Sequence, residues 1–564
     1  MKDRLRKILE ESVSAKPLPK FEIERPKVKA HGELSTNLAM VLAKTLKKNP
    51  QEVAKEIVGG LEGILKDPEG LIESATVAGG FVNFVFKKKV WRESLRSLVA
   101  QGGRFGESPV VGEKSAVIEF VSANPTGPLH IGNARGGPLG DVIASLLEKI
   151  GYKVTREYYV NDVGGQIDKL GESVLHWIRY DFQENAPAAE GYQGEYVKEL
   201  GRHSLAVLGE KIPKDEIQAV HVLGKFGIDF MMREIQKDCE DMGIRFDSWV
   251  HEKTLLVDGE TERVLEDLKK KGVTLEKDGA LWLAANDEFL KDRECVLVRT
   301  DGRPTYFAND ISYHVRKYRR GFDRIINVWG SNHHGHVPRV QAAVKSLGYD
   351  PQKIETVLYQ YVRVKRGKDA VKMSKRAGNF VTAREVLDEV GRDAFRFFLL
   401  MRAPESHLDF DLSLAKEKST ENPVYYVQYA HARLASIERK AGEQGIPLPP
   451  QDVCLDTLDL PEEIEMIRMI HEFPEEVRLA ALRLEPHRIP FYLIELVKVF
   501  QAYYTKARED PRYRVLGVLG GGGSAGAVDT SQAKLYLCRA LKLTISQGLK
   551  LLGVSAPEVM VQEA

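Results

Sequence analysis

Three groups of side chains have the types and spacing for chemistry. The first is His130-Ile-Gly-Asn133, which follows an apolar run and a loop rich in proline and glycine. His130 and Asn133 can both donate to phosphate oxygens, and Gly132 lets a ligand approach the backbone. The second is Lys372-Met-Ser-Lys375, inside Val362–Gly378, the most basic stretch of the chain, where Asp369 is the only acid. Each alone is a weak signal, because a His-x-Gly often just opens a helix and lysine-rich surface loops are common. Together they can line both sides of a cleft with anion donors, and positioning plus charge neutralisation is nearly all that phosphoryl or nucleotidyl transfer requires. The third group is acidic. Glu119 lies inside an apolar run, where a charge is costly unless paired, and Tyr306 and Asp310 stand one helical turn apart. Glu119 taken alone reads as the partner of a lysine or arginine of the protein itself. Two acids and a tyrosine at one sheet edge would instead suit a cationic ligand, above all a guanidinium with its planar fork of donors.

These groups need a scaffold. Val117–Val121 is nearly continuous in apolar character, which suits a strand covered on both faces, as in a parallel sheet. Ser122, Asn124, Pro125, Thr126, Gly127 and Pro128 make a loop, and Val142, Ile143, Leu146, Leu147 and Ile150 mark a helix closed by Gly151. Strand, loop and helix start form the geometry in which backbone N–H groups and the helix dipole hold a phosphate. Tyr152–Tyr159, Glu294–Thr300, Arg324–Trp329 and Glu355–Val364 read as further strands alternating with helices. The pattern implies an α/β fold with a doubly wound parallel (Rossmann-type) sheet, the site at the strand carboxyl ends, and a helical insertion at about 167–290. On this reading Tyr306 and Asp310 sit at the end of one sheet strand and the lysine segment follows the last. Thr382-Ala-Arg-Glu385 is a capping box that starts a new helix. His333-His334-Gly-His336 has no acid or cysteine close by and is spaced too tightly for one tetrahedral metal site. It reads as a polar loop in which a histidine or Asn332 faces the ligand, and no protein-bound metal is expected.

The rest of the chain reads as flanking domains. At 564 residues it exceeds one core, and about three or four domains is the reasonable expectation. Lys+Arg 82 against Asp+Glu 81 leaves almost no net charge, so any polyanion site must come from local clustering. Cys239, Cys295, Cys454 and Cys538 are far apart and form no Cys-x-x-Cys pair, so they read as reduced thiols of a cytoplasmic protein. The start Met1–Ile8 has no signal-peptide core, and no apolar run reaches transmembrane length. Residues 1–110 read as a small α/β domain containing Phe81-Val-Asn-Phe-Val-Phe86, a strand whose Asn83 spacing alone turns to water. Residues 111–420 hold the parallel sheet, and residues 421–564 read as an all-helical bundle, with Gly520–Ser524 a flexible connector.

His130-Ile-Gly-Asn133 with Lys372–Arg376 resembles the paired signatures of the class I aminoacyl-tRNA synthetases. The longer frame from Glu119 through Ala123, Asn124, Pro125, Thr126, Gly127, Pro128, Leu129, His130, Ile131, Gly132 and Asn133 is similar to the arginyl-tRNA synthetases of bacterial type. So are Tyr159–Gln166, Ser406–Asp411, Asn422–Arg433 and Gly32–Ala39, in the right order along the chain. The resemblance implies a ligase that activates L-arginine with ATP and Mg2+ and passes it to tRNA(Arg), without a tightly bound cofactor, acting as a cytoplasmic monomer. It implies that Glu119, Ser122, Asn124, Tyr306 and Asp310 hold arginine, and that His130, Gly132, Asn133, Lys372, Met373, Ser374 and Lys375 hold ATP. Of these, His130, Asn133, Lys372 and Lys375 would be catalytic. Phe81 and Asn83 match positions that grip a tRNA D-loop base, against the reading from spacing, and the C-terminal bundle would read the anticodon. Two departures stand out. Asn133 replaces the more usual second histidine, and Lys375 is present while Gly127 occupies the upstream position where many relatives carry a lysine. A related ligase for another amino acid and a catalytically idle tRNA-binding protein are the alternatives. The acids and the intact Lys372, Ser374 and Lys375 argue against them.

Overall fold

The segments expected to extend do so in the computed structural model, but they sort into four sheets. The structure describes residues 1–13, 17–26, 28, 31–109, 112–183, 187, 189–284, 288–290, 294–367, 369–370, 381–516 and 525–560. Lys372, Met373, Ser374, Lys375 and the Gly520–Ser524 connector lie outside them. The chain divides into one unit of Met1–Gly102, Ile437–His471 and Ala502–Leu541, and a second of Gly103–Ser436, Glu472–Gln501 and Lys542–Ala564.

In the first unit, β1 (Ile23–Glu24), β2 (Leu34–Thr36), β3 (Ile72–Ala78) and β4 (Phe81–Phe86) form an antiparallel sheet in the order β1-β2-β4-β3. Gly79 and Gly80, both at positive φ, make the tight turn between β3 and β4. Phe81 is 37% exposed. Asn83, expected to face outward, is buried between Ser35 and Thr76, and its Nδ2 has no hydrogen-bond partner among the described residues. Glu33 is held beside this sheet by the Phe86 N–H, the Trp91 indole N–H and the Arg468 guanidinium.

The second unit holds the remaining strands, in chain order β5 (Lys114–Phe120), β6 (Tyr152–Val160), β7 (Ser248–His251), β8 (Thr274–Lys277), β9 (Ala280–Leu283), β10 (Cys295–Val298), β11 (Arg324–Gly330), β12 (Ile354–Tyr359), β13 (Val362–Arg366), β14 (Asp369–Ala370) and β15 (Leu408–Asp411). The parallel sheet has the order β12-β11-β5-β6-β7 and places β5 at its centre. Ala116 to Phe120 are all buried, as the apolar run predicted. The helix Gly136–Lys149 lies so close to β5 that a Cβ on Gly140 would come 2.2 Å from Phe120.

Three expectations about the sheet change. Its edge strand β7 comes from inside the stretch read as a helical insertion; four residues are too few for periodicity to reveal. The Glu294–Thr300 segment does not belong to the parallel sheet. It forms β10 of a separate antiparallel sheet in the order β10-β9-β8, turned back at Asp301-Gly302. Tyr306 and Asp310 therefore lie on successive turns at the start of the helix Tyr306–Arg319, capped by Thr305, and not at a strand end. Glu355–Val364 is two strands: β12 ends the parallel sheet, and β13 opens a third sheet with β14 and β15. The lysine segment thus leaves from this small sheet. The C-terminal part is helical as expected, with helices Pro423–Glu443, Pro461–Arg483, Arg488–Lys506 and Ala525–Leu552.

Candidate active site

The chain leaves β5 through Val121 and Ser122, both at positive φ (66° and 39°). A β-branched residue pays steric strain there, and such strain persists only where surrounding structure enforces it. The Tyr159 N–H donates to Ser122 Oγ at 3.1 Å and the Tyr158 hydroxyl to the Ala123 carbonyl at 2.9 Å, tying the turn to β6. Pro125, Thr126 and Leu129 are buried, whereas Asn124 is exposed at the loop tip. The Tyr196 hydroxyl donates to the Thr126 carbonyl at 3.1 Å, and its ring closes over Gly127. His130 then caps the helix, its Nδ1 accepting the Gly132 N–H at 2.8 Å, which leaves the ring proton on Nε2. Gly132 is buried and Asn133 exposed on the same first turn.

The segment after the lysine loop is stitched to this signature. The Ile131 N–H donates to the Val381 carbonyl at 3.1 Å, the Ala383 N–H donates to Leu129 at 2.7 Å, and His130 bridges Thr382. Thr382 and Glu385 form the expected capping box. The chain that carries Lys372 and Lys375 is therefore anchored against the His130 helix start at its C-terminal side. Behind the same turn, fully buried Arg135 donates to the carbonyls of Gln360 (2.7 Å), Ser406 (2.8 Å), Ala403 (3.0 Å) and Arg402 (3.5 Å). No carboxylate pairs with it among the described residues, and burial pushes its pKa down to about 10.

The acids converge from four elements. Glu119 on β5 is flanked by Asn327 on β11 and Glu157 on β6, all buried. The cation that Glu119 requires is supplied by the protein: Lys317, fully buried, donates to Glu119 Oε2 at 2.8 Å and to Asn327 Oδ1 at 3.0 Å. Glu157 accepts from the Tyr313 hydroxyl at 2.9 Å and from Arg320. Burial opposes its ionisation, but Lys317 and Arg320 outweigh burial and hold it below the usual range. Asp310 is also buried. Its carboxylate meets His314 Nδ1 at 3.2 Å and His336 Nε2. Burial again works against the charge, yet the two imidazoles hold Asp310 well below the usual carboxylate range. Tyr306, 46% exposed, stacks on His336 with ring centroids 5.1 Å apart. Of the three loop histidines His336 is buried against Asp310, His333 is half-buried within electrostatic reach of Asp310 and Glu119, and His334 is exposed; no group of three side chains placed to hold a metal ion occurs among the described residues.

Glu252, which follows β7, was not anticipated. It is 2% exposed; Oε1 accepts from Asn309 at 2.6 Å, and Oε2 has no close hydrogen-bond partner among the described residues. The Tyr159 hydroxyl is likewise buried and without a close partner. The two lie near enough for a long, weak hydrogen bond that pulls Glu252 down and pushes Tyr159 up, and Asp310 and Glu119 act on Tyr159 as well. Burial, reinforced by Asp162 and Asp310, pushes Glu252 up to about 7. A carboxylate oxygen and a hydroxyl without close partners, beside a held carboxylate, offer acceptors that suit a cation with several donors. A signal for this cluster existed: Tyr306, Asp310, Tyr313, His314 and Lys317 follow the spacing of one helix face, a polar stripe where an apolar one is normal. Nothing comparable marked Glu252.

Comparison with known proteins agrees with this geometry. Residues 1–86 match the family model described as the arginyl tRNA synthetase N terminal domain. Residues 94–203 and 207–401 match that of the class I (R) tRNA synthetase catalytic domain, and residues 427–560 that of the DALR anticodon binding domain. An arginine–tRNA ligase from Carboxydothermus hydrogenoformans is 44% identical over 551 residues, covering 96% of this chain and 94% of that protein. One from Syntrophotalea carbinolica is 43% identical, covering 99% and 100%. In fold, the structure is similar to the Thermus thermophilus arginyl-tRNA synthetase, with a TM-score of 0.76, 24% identity and coverage of 99% and 100%.

Proposed function

The chain belongs to the arginyl-tRNA synthetases, and from that premise we propose how its residues share the work. The reaction is the ligation of L-arginine to its tRNA with ATP: the arginine carboxylate attacks the α-phosphate, giving arginyl-adenylate and pyrophosphate, and the terminal 2′-hydroxyl of the tRNA then takes the arginyl group. No enzyme nucleophile is required; the protein supplies orientation and charge. Asp310 and Glu252 hold the guanidinium, with the hydroxyls of Tyr306 and Tyr159 beside them, and Asn124 and the Ser122 turn face the α-amino acid end. Glu119, committed to Lys317, supports this pocket from below rather than binding arginine directly. The observation that carries the reading is the buried Glu252 Oε2 near an ionised Asp310, with no close hydrogen-bond partner and no ion pair among the described residues.

His130, Gly132 and Asn133 receive the ATP phosphates at the helix start, and Lys372, Met373, Ser374 and Lys375 act on the same phosphates, with Lys372 and Lys375 neutralising the pyrophosphate. Mg2+ would accompany ATP and offset the charge of its phosphates, alongside Lys372 and Lys375. Phe81 presents an open ring on which a tRNA base can stack, with Asn83 beneath it in the 1–110 domain, and helices of 421–564 take the anticodon. The protein works as a cytoplasmic monomer; among the described residues no helix is long and apolar enough to cross a membrane.

ATP–pyrophosphate exchange, run with and without tRNA across the standard amino acids, tests the reading. Exchange with arginine alone is expected. Exchange with lysine or cysteine in its place removes the arginine assignment, and none with any amino acid makes the chain a binding protein. The pocket also predicts a pH dependence. Glu252 titrates at about 7 in the free protein, so lowering the pH protonates it and removes a guanidinium partner, while Asp310 stays ionised. The kcat/KM for arginine is expected to fall as pH drops through about 7, by about tenfold per unit once Glu252 is mostly protonated. In Glu252→Gln, measured over the same range, this descent disappears.

A further inference from the structure

One fully buried side chain touches both halves of the acid cluster and has no part in the chemistry described so far. Lys317 Nζ donates to Glu119 Oε2 and to Asn327 Oδ1, and sits 4.0 Å over the Tyr313 ring. An ammonium can only donate, so it fixes which end of the Asn327 amide is oxygen. The other end, Nδ2, lies 3.0 Å from His314 Nε2. An amide N–H there makes Nε2 an acceptor, so the His314 proton sits on Nδ1. That nitrogen lies 2.8 Å from the Asp310 carbonyl and 3.2 Å from Asp310 Oδ1, both acceptors. Every contact in the series Glu119–Lys317–Asn327–His314–Asp310 is satisfied in only one arrangement of protons.

We infer that Lys317 is a positioning residue for arginine: by orienting the Asn327 amide it selects the Nδ1–H tautomer of His314 and so presents a donor to Asp310. The inference rests on Asp310 being a guanidinium partner. Without the ammonium, the amide is free to turn its oxygen to His314 Nε2. The proton then moves to Nε2, and a bare Nδ1 faces the Asp310 oxygens. The carboxylate loses one of the two imidazole donors that orient it, and arginine binding weakens without any change in the nucleotide half of the site. Lys317 touches neither substrate; its influence passes through two other side chains.

Two variants test this, because Lys317→Met also leaves Glu119 and Glu157 short of a cation and can fail to fold. Asn327→Asp keeps the shape and keeps an acceptor for Lys317, but replaces the donor facing His314 Nε2 with a second acceptor. Ring-nitrogen NMR shifts of isotope-labelled histidine, assigned with His314→Gln, read the tautomer directly. Wild type is expected to show an unprotonated Nε2 beside a protonated Nδ1, and Asn327→Asp the reverse; an Asn327→Asp imidazole that keeps its Nδ1 proton overturns the inference. With that change the KM for arginine in ATP–pyrophosphate exchange rises about tenfold, while the KM for ATP stays within about twofold. A protonated Nε2 in wild type overturns the inference. So does an Asn327→Asp protein, or a folded Lys317→Met protein, whose arginine KM is unchanged. Failure of wild type to exchange with arginine removes the functional assignment instead, and the NMR measurement tells the two failures apart.

Discussion

Replacing Asp310 with asparagine is expected to lower kcat/KM for arginine by about two to three orders of magnitude, the usual cost of uncovering one member of a buried charge pair. The KM for ATP should stay within about twofold, since the nucleotide half of the site is untouched. The geometry explains both the size and the selectivity. Asp310 is buried and accepts from His314 and His336, and together these use only part of its lone-pair capacity. An asparagine keeps one acceptor but aims an NH2 at an imidazole N–H, so a donor meets a donor, and the charge that answers a guanidinium is gone. ATP–pyrophosphate exchange, titrated separately in arginine and ATP, reads the split. Equal losses in both titrations contradict the role given to Asp310. Run alongside, Glu252→Gln and Glu119→Gln decide between the two glutamates. Glu252→Gln should raise the KM for arginine more than Glu119→Gln, whose main effect should be on stability because Lys317 loses a charged partner.

Arg135→Met is expected to destabilise the second unit by about 4 kcal/mol, because several buried carbonyls lose their donor at roughly 1–3 kcal/mol each. Arg135 stands two residues past the signature motif and gathers the carbonyls of Gln360, Arg402, Ala403 and Ser406 into one fork. It thereby binds the end of the parallel sheet and the segment before β15 to the helix start carrying His130. The Tyr359 hydroxyl reinforces the junction by donating to the Asn133 carbonyl at 3.4 Å. Arg135→Lys should recover only part of the loss, since an ammonium cannot reach four acceptors in a planar spread. Denaturant-induced unfolding followed by fluorescence measures it. A midpoint for Arg135→Met equal to that of wild type rules the clamp out.

The parts of the site legible in the sequence are those set by local order. Val117–Val121 announced a buried parallel strand, and His130-Ile-Gly-Asn133 the helix start beyond it, because an apolar run and a glycine-containing loop restrict the backbone over a few residues. Thr382 and Glu385 announced their helix for the same reason, and the Pro423–Leu552 helices followed from periodicity. Asn83 shows the limit of alternation: period two says which residues share a face, not whether that face is covered. Glu119 shows another. A charge in an apolar run demands a partner, but the demand is met equally well by a ligand or by a lysine far along the chain, and here Lys317 meets it. Glu252 carried no signal because β7 is only four residues long and lies in a stretch otherwise rich in helix.

By itself, then, the sequence determined the class of scaffold, the strand–loop–helix that we propose holds the phosphates, and the presence of acids in apolar surroundings, since these depend on residues close together in the chain. The tertiary structure alone decided which acid pairs with the protein's own cations and which does not. Glu119, Glu157, Glu252 and Asp310 look alike along the chain. Burial costs each of them desolvation, and the placement of Lys317, Arg320 and His314 around one helix, with His336 from the loop after β11, gives Glu119, Glu157 and Asp310 a cationic or imidazole partner and leaves an oxygen of Glu252 without a close one.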